Sequence, residues 1–205
     1  MMEEKRDETG PPVIVEARLP VAIIRLNRPA ERNPLSIATL NQLDVAVSVL
    51  IGRADIKAII FTGADDVFAS GANIRELRTL TPATAGEFAR RGQMLFEKIA
   101  RAAQLTIAAV NGYCMGGGLD LALACDLRYA SPQAVFAHPG ARLGIITGWG
   151  GTQRLPRLIG MSRALEFLLT ARRMTSNEAL EIGLVNGVSE PVLDDAYEAA
   201  RTLFK

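Results

Sequence analysis

Asn111-Gly112-Tyr113-Cys114-Met115-Gly116-Gly117-Gly118-Leu119-Asp120 follows a short apolar run, residues 106–110, and opens another that continues to Ala124. The first run reads as a buried strand ended by Asn111-Gly112, and residues 116–124 read as a glycine-rich loop entering a buried helix. Three consecutive glycines let the backbone approach a ligand closely and leave N–H groups free at a positive helix end. A second loop, Phe68-Ala69-Ser70-Gly71-Ala72-Asn73-Ile74, follows another β-rich apolar run, residues 56–62, and the turn Gly63-Ala64-Asp65-Asp66. An oxyanion hole needs two backbone donors aimed at one point, and two such loops can supply them. Spacing alone leaves open the other use of glycine loops, in turns and close packing.

Outward from these loops, strands and helices alternate. Residues 13–17 and 21–26 read as strands around Leu19-Pro20, and residues 28–34 as a loop. Ser36 is a candidate N-cap for a helix whose apolar residues Leu40, Leu43, Val47 and Leu50 recur at helical spacing up to Gly52. Pro82 opens a long helical pattern reaching about Ala103. Residues 127–130 and 134–137 read as strands, and helical patterns follow at 151–159, 163–170, 177–182 and 193–204. This alternation, with mostly buried strands, predicts an α/β chain. No repeat of fixed residue pattern appears.

Composition narrows the function classes. The 205 residues carry a formal net charge of +1, so no basic surplus points to nucleic acid or an anionic membrane. The charged segment 1–10 lacks the apolar core of a secretory signal, and no run of about 18 apolar residues occurs, so a cytoplasmic location is expected. Cys114 and Cys125 lack CxxC spacing and read as buried free thiols. No metal-ligand pattern, dinucleotide fingerprint or phosphate loop is present. His138, the only histidine, has no Gly-x-Ser-x-Gly elbow beside it and reads as structural. Asp126 reads as a backbone-orienting residue.

Taken together, the pieces resemble the enoyl-CoA hydratase/isomerase (crotonase) family. They run in family order: Asn27-Arg28-Pro29 with Asn33-Pro34-Leu35; Ala69-Ser70-Gly71-Ala72; Ala108-Ala109-Val110-Asn111-Gly112-Tyr113; Gly116-Gly117-Gly118; Ala124-Cys125-Asp126-Leu127; and Gly150-Gly151-Thr152-Gln153-Arg154-Leu155. The resemblance implies a crotonase (ClpP-like) right-handed spiral of ββα units, with residues 1–12 as a tail and 13–205 as the core domain. It implies an acyl-CoA substrate whose enolate is held by the backbone N–H groups of Ala72 and Gly117. Arg32, Pro34, Ser70, Asn73, Ile74, Tyr113, Gly116, Pro139 and Gly140 would line the CoA and acyl sites. Coenzyme A enters as part of the substrate, no separate cofactor or metal is expected, and a homotrimer or hexamer is implied.

Two departures bear on mechanism. Family hydratases place one glutamate two residues beyond the triple glycine and another after the strand that here ends near His138-Pro139, and the pair positions a water. Those positions hold Asp120 and Gly140. Aspartate is shorter by one methylene, roughly 1.5 Å of reach, and glycine has no group at all. Dienoyl-CoA isomerases share the aspartate, but their other carboxylates would fall at Gly140 and Gly148. Dihydroxynaphthoyl-CoA synthases share the glycine at 140, and their tryptophan aligns with Trp149 after a one-residue shift. The expected readings are therefore a hydratase/isomerase, an enolate enzyme with Asp120 as its one carboxylate, or a non-catalytic acyl-CoA binder. Family members continue some 50 residues past Gly183-Leu184-Val185-Asn186, so the chain is either natively short or part of a longer one.

Overall fold

The structure is a computed structural model that describes residues 10–204. The expected tail, 1–12, falls outside the described residues except for its last three. In order the elements are β1 (Val13–Arg18), β2 (Val21–Leu26), β3 (Pro34–Leu35), α1 (Ile37–Ile51), β4 (Ala58–Gly63), β5 (Val67–Ala69), β6 (Gly71–Ala72), α2 (Ile74–Leu77) and α3 (Pro82–Ala100). There follow β7 (Leu105–Val110), β8 (Tyr113–Met115), α4 (Gly117–Ala124), β9 (Leu127–Ala130), β10 (Val135–Ala137), α5 (Gly151–Ile159) and α6 (Met161–Thr170). The chain closes with β11 (Arg173–Thr175), α7 (Ser176–Glu181), β12 (Gly187–Val188) and α8 (Val192–Leu203).

A six-stranded sheet runs β1-β2-β4-β7-β9-β12, a four-stranded one β11-β10-β8-β5, and β3 pairs with β6. Strands adjacent in sequence alternate between sheets: β4, β7 and β9 enter the large sheet, while β5, β8 and β10 enter the small one. A helix then returns the chain, which is the ββα order the resemblance implies. No sequence repeat marks these units, because each turn needs only strand–strand–helix lengths, not fixed residues.

The alternation of side chains explains why β4 is buried throughout. Ile59 and Phe61 join the main core under α1, α3 and α4, whereas Ala58 and Ile60 face a second cluster closed by Val192, Ala196 and Ala200 of α8. Ser36 caps α1 by accepting from Thr39 N at 3.1 Å, and Leu40, Leu43, Val47 and Leu50 form its buried face. Each such side chain contributes about 1.5–3 kcal/mol on burial, against about 1 kcal/mol for the cap. Packing therefore outweighs capping in holding α1.

Asparagines at the ends of strands tie the loops together. Asn111 Oδ1 accepts from Gly63 N at 3.0 Å while its Nδ2 donates to Asp65 O at 2.7 Å. Asn33, at φ +48°, accepts from Arg28 N at 2.6 Å and donates to Val67 O at 2.7 Å. Asp126 orients backbone, accepting from Thr106 N and Thr106 Oγ1, both at 2.8 Å. Cys114 and Cys125 are free and buried. Burial pushes the Cys114 thiol well up and the Cys125 thiol to about 12. Among the described residues no helix is long and apolar enough to cross a membrane.

Candidate active site

A cavity of about 250 Å³ opens where the β5–β6 loop, the start of α4 and the segment after β10 meet. Its inner wall is backbone. β6 is held by the ladder Pro34↔Gly71 and Leu35↔Ala72, a two-residue pairing too short to leave a periodic signal. Gly71, at φ +94°, sits against the turn into α4: a Cβ there would lie 2.8 Å from Met115 O and 2.9 Å from Gly117 N. Any side chain would push the two loops apart. From the other side, a Cβ on Gly117 would stand 3.4 Å from Ala72 N and 2.5 Å from the Trp149 ring. The amides of Ala72 and Gly117 thus share one small patch. Gly117 is the first residue of α4, so its N–H has no partner within the helix and lies at its positive end.

Asp120 lies three residues further along the same helix, a spacing that puts it on the face of Gly117. It lines the cavity and is only 1% exposed. Its Oδ2 accepts from Thr147 Oγ1. Its Oδ1 has no hydrogen-bond partner among the described residues and lies 3.5 Å from His138 Nε2, which is likewise buried and unpartnered.

The outer wall is the segment from His138 to Trp149. Gly140 is buried at its first turn, where a Cβ would meet Ile145 O at 2.8 Å. No space is left open at this position: Ile145 N donates to Gly140 O at 3.0 Å, and the closed turn occupies the place. Trp149 is buried, its ring 5.3 Å from that of Phe88 and 5.7 Å, edge-on, from that of Phe96. Gln93 Nε2 donates to Gly148 O at 2.7 Å and Arg154 Nη1 to Trp149 O at 3.1 Å, which pins the segment to α3 and α5. Leu143, Ile145 and Ile146 line the mouth and remain exposed.

Of the residues expected at the site, Ser70, Ala72, Ile74, Gly116, Gly117, Asp120, Pro139 and Gly140 line this cavity. Pro34 and Asn73 line an adjoining groove that shares Ser70, Ala72 and Ile74 with it. Asn73 caps α2, accepting from Arg75 N at 2.9 Å. Arg32 and Tyr113 line neither; the Arg32 guanidinium stands over the Tyr113 ring at 5.9 Å. Tyr113 belongs to β8, a strand where the sequence reads as loop, because three residues between two glycine turns carry no alternation. Thr147 and His138 are the polar side chains that sequence reasoning missed at the cavity. Nothing in the spacing marks Thr147, whereas His138 stands two residues before Gly140, a position the sequence does single out.

The match to the enoyl-CoA hydratase/isomerase family model spans residues 16–205. The chain is 39% identical over 194 residues to the short-chain-enoyl-CoA hydratase of Clostridium acetobutylicum, covering 93% of this chain and 74% of that protein. It is 41% identical over 180 residues to a crotonyl-CoA hydratase of Syntrophomonas wolfei, covering 87% and 69%. A crystal structure of an enoyl-CoA hydratase from Bacillus anthracis superposes with a TM-score of 0.90 at 36% identity, covering 93% of this chain and 76% of that one. With its two-sheet ββα fold and backbone-walled cavity, the chain belongs to the enoyl-CoA hydratase/isomerase family. It is an acyl-CoA enzyme of that type.

Proposed function

We propose that the enzyme adds water to a short 2-enoyl-CoA, with the Ala72 and Gly117 amides on the thioester oxygen and Asp120 as its carboxylate acid/base. The observation that carries this is Asp120, a buried carboxylate that lines the cavity one helical turn from Gly117 and whose Oδ1 has no hydrogen-bond partner among the described residues. Negative charge grows on the thioester oxygen as an enolate forms, and preorganised donors there act strongly because water is largely excluded. The size of the cavity and its apolar lining by Ile74, Leu77, Leu143, Ile145 and Ile146 favour a short acyl chain. The groove at Pro34 and Asn73 suits the pantetheine arm, with Arg32 towards the phosphates. The chemistry needs no cofactor beyond the coenzyme A of the substrate.

A cytoplasmic setting is part of the proposal, supported by the two free buried thiols. So is a homotrimer or hexamer, supported by the exposed ridge Met161, Leu165 and Leu169 on α6. A second reading, double-bond isomerisation, is favoured by Gly140, which leaves Asp120 as the one carboxylate lining the cavity among the described residues.

A panel of acyl-CoA thioesters with mass readout tests the reading. Gain of one water on a short 2-enoyl-CoA is expected, and Asp120→Asn should reduce it by about a hundred- to ten-thousand-fold. A migrated double bond without gain of mass would select the isomerase. Tight binding with no turnover, unaffected by Asp120→Asn, would overturn both in favour of an acyl-CoA binder.

A further inference from the structure

His138 follows β10 directly and begins the turn that contains Gly140. Its side chain is 7% exposed and lines the same cavity as Asp120. Two features set it apart from an ordinary core histidine. Its Nε2 is buried without a hydrogen-bond partner among the described residues, an arrangement that is costly for a polar atom. The atom it faces, Asp120 Oδ1 at 3.5 Å, is orphaned in the same way. Both side chains line the cavity, and a small tightening of the 3.5 Å gap brings the two atoms into hydrogen-bond contact. Neither orphan is an accident of poor packing: Asp120 is fixed through Oδ2 by Thr147, and the His138 turn by Ile145 N on Gly140 O.

We propose that His138 is a second catalytic residue, supplying from two positions upstream the proton-handling group that Gly140 cannot. This rests on the hydration reading above. Asp120 and His138 share one proton, and hydration starts with it on Asp120 Oδ1 and with His138 Nε2 free to accept. Water oxygen bonds to C3 of the enoyl thioester as one of its protons passes to His138 Nε2. The C2–C3 π pair shifts to C1–C2, and the carbonyl pair moves onto the oxygen held by Ala72 and Gly117. Asp120 Oδ1 then gives its proton to C2 while the carbonyl re-forms, leaving the 3-hydroxyacyl thioester. The proton on Nε2 crosses to Oδ1 and restores both groups, so one water is consumed and no proton is gained or lost.

The test uses two reactions of the full chain. Exchange of the C2 protons of butyryl-CoA in D₂O reports enolate formation by Asp120, and hydration of crotonyl-CoA reports the full cycle. His138→Gln keeps a polar group but carries no mobile proton. We expect it to lower the ratio of hydration to exchange by about a hundred- to ten-thousand-fold, with KM for crotonyl-CoA little changed. Added imidazole should return part of the hydration rate to His138→Ala. If His138→Gln hydrates crotonyl-CoA at near the wild-type rate, or loses both reactions equally, His138 has no such role and the hydratase reading stands alone. A wild type that exchanges but does not hydrate also overturns the role of His138 and moves the enzyme to the isomerase reading. A wild type inert in both reactions overturns the inference and the proposed function together.

Discussion

The two walls of the cavity are built on different principles. The inner wall, from Ala69 to Ala72 and from Gly116 to Asp120, is backbone pressed on backbone, and every residue of α4 is buried. The outer wall, from His138 to Trp149, is a looping segment held at its ends, with Ile146 72% exposed between them. Where backbone packs on backbone, only glycine fits, and the donors cannot wander. In the proposed reading the first wall holds charge on the substrate oxygen and carries Asp120, and the second brings Thr147 and His138 to that carboxylate.

Substitutions can break this contrast, beginning with the largest expected effect. Gly117→Pro deletes the donor N–H at a helix position that otherwise tolerates proline, and should lower turnover about a hundred- to thousand-fold. The added ring also crowds Trp149, so Trp149→Leu in the same chain should restore stability but not turnover, read by denaturant unfolding beside the assay. On the outer wall, Thr147→Val removes the hydroxyl that holds Asp120 Oδ2. A hydrogen bond to a charged group is worth about 1.5–3 kcal/mol, so kcat should fall about ten- to hundredfold while KM stays near its value. An unchanged kcat would show that the carboxylate is held by its helix alone.

The smallest effects concern stability and separate tight glycines from free ones. A Cβ on Gly92 of α3 would run into the Trp149 indole, whereas one on Gly148 meets nothing nearer than Ala89 Cβ at 4.0 Å. Gly92→Ala should cost roughly 1–3 kcal/mol of unfolding free energy by overpacking. Gly148→Ala should stay within about 0.5 kcal/mol of wild type. Equal losses in urea titrations would mean that Trp149 is not clamped as described.

The same division governs what the sequence makes legible. The helix from Ser36 to Gly52, the strand ends at Asn111 and the glycine loops stand out because capping, turn chemistry and close approach each demand particular residue types. The two-residue strands β3, β6 and β12 do not, since no period fits in two residues. Asp120 was legible as a departure within a glycine motif. Thr147 was not, because its meeting with Asp120 spans 27 residues and depends on how the outer segment folds back. His138 stands alone in the sequence and reads there as a structural or supporting residue; the carboxylate it faces lies 18 residues away along the chain. Tyr113 is the converse case: a residue inside the motif that stands beside Arg32 and lies outside the lining of the cavity.

The claim on which the rest depends is that the inner wall forms an enolate and that Asp120 moves its proton. Incubation with butyryl-CoA in D₂O, followed by mass spectrometry, addresses it without requiring water addition or any particular double bond. Deuterium should enter C2 in the wild type, slow about a hundredfold or more in Gly117→Pro, and fall to the uncatalysed rate in Asp120→Asn. Deuterium entering C2 equally fast in wild type and Asp120→Asn, or in neither, would contradict it.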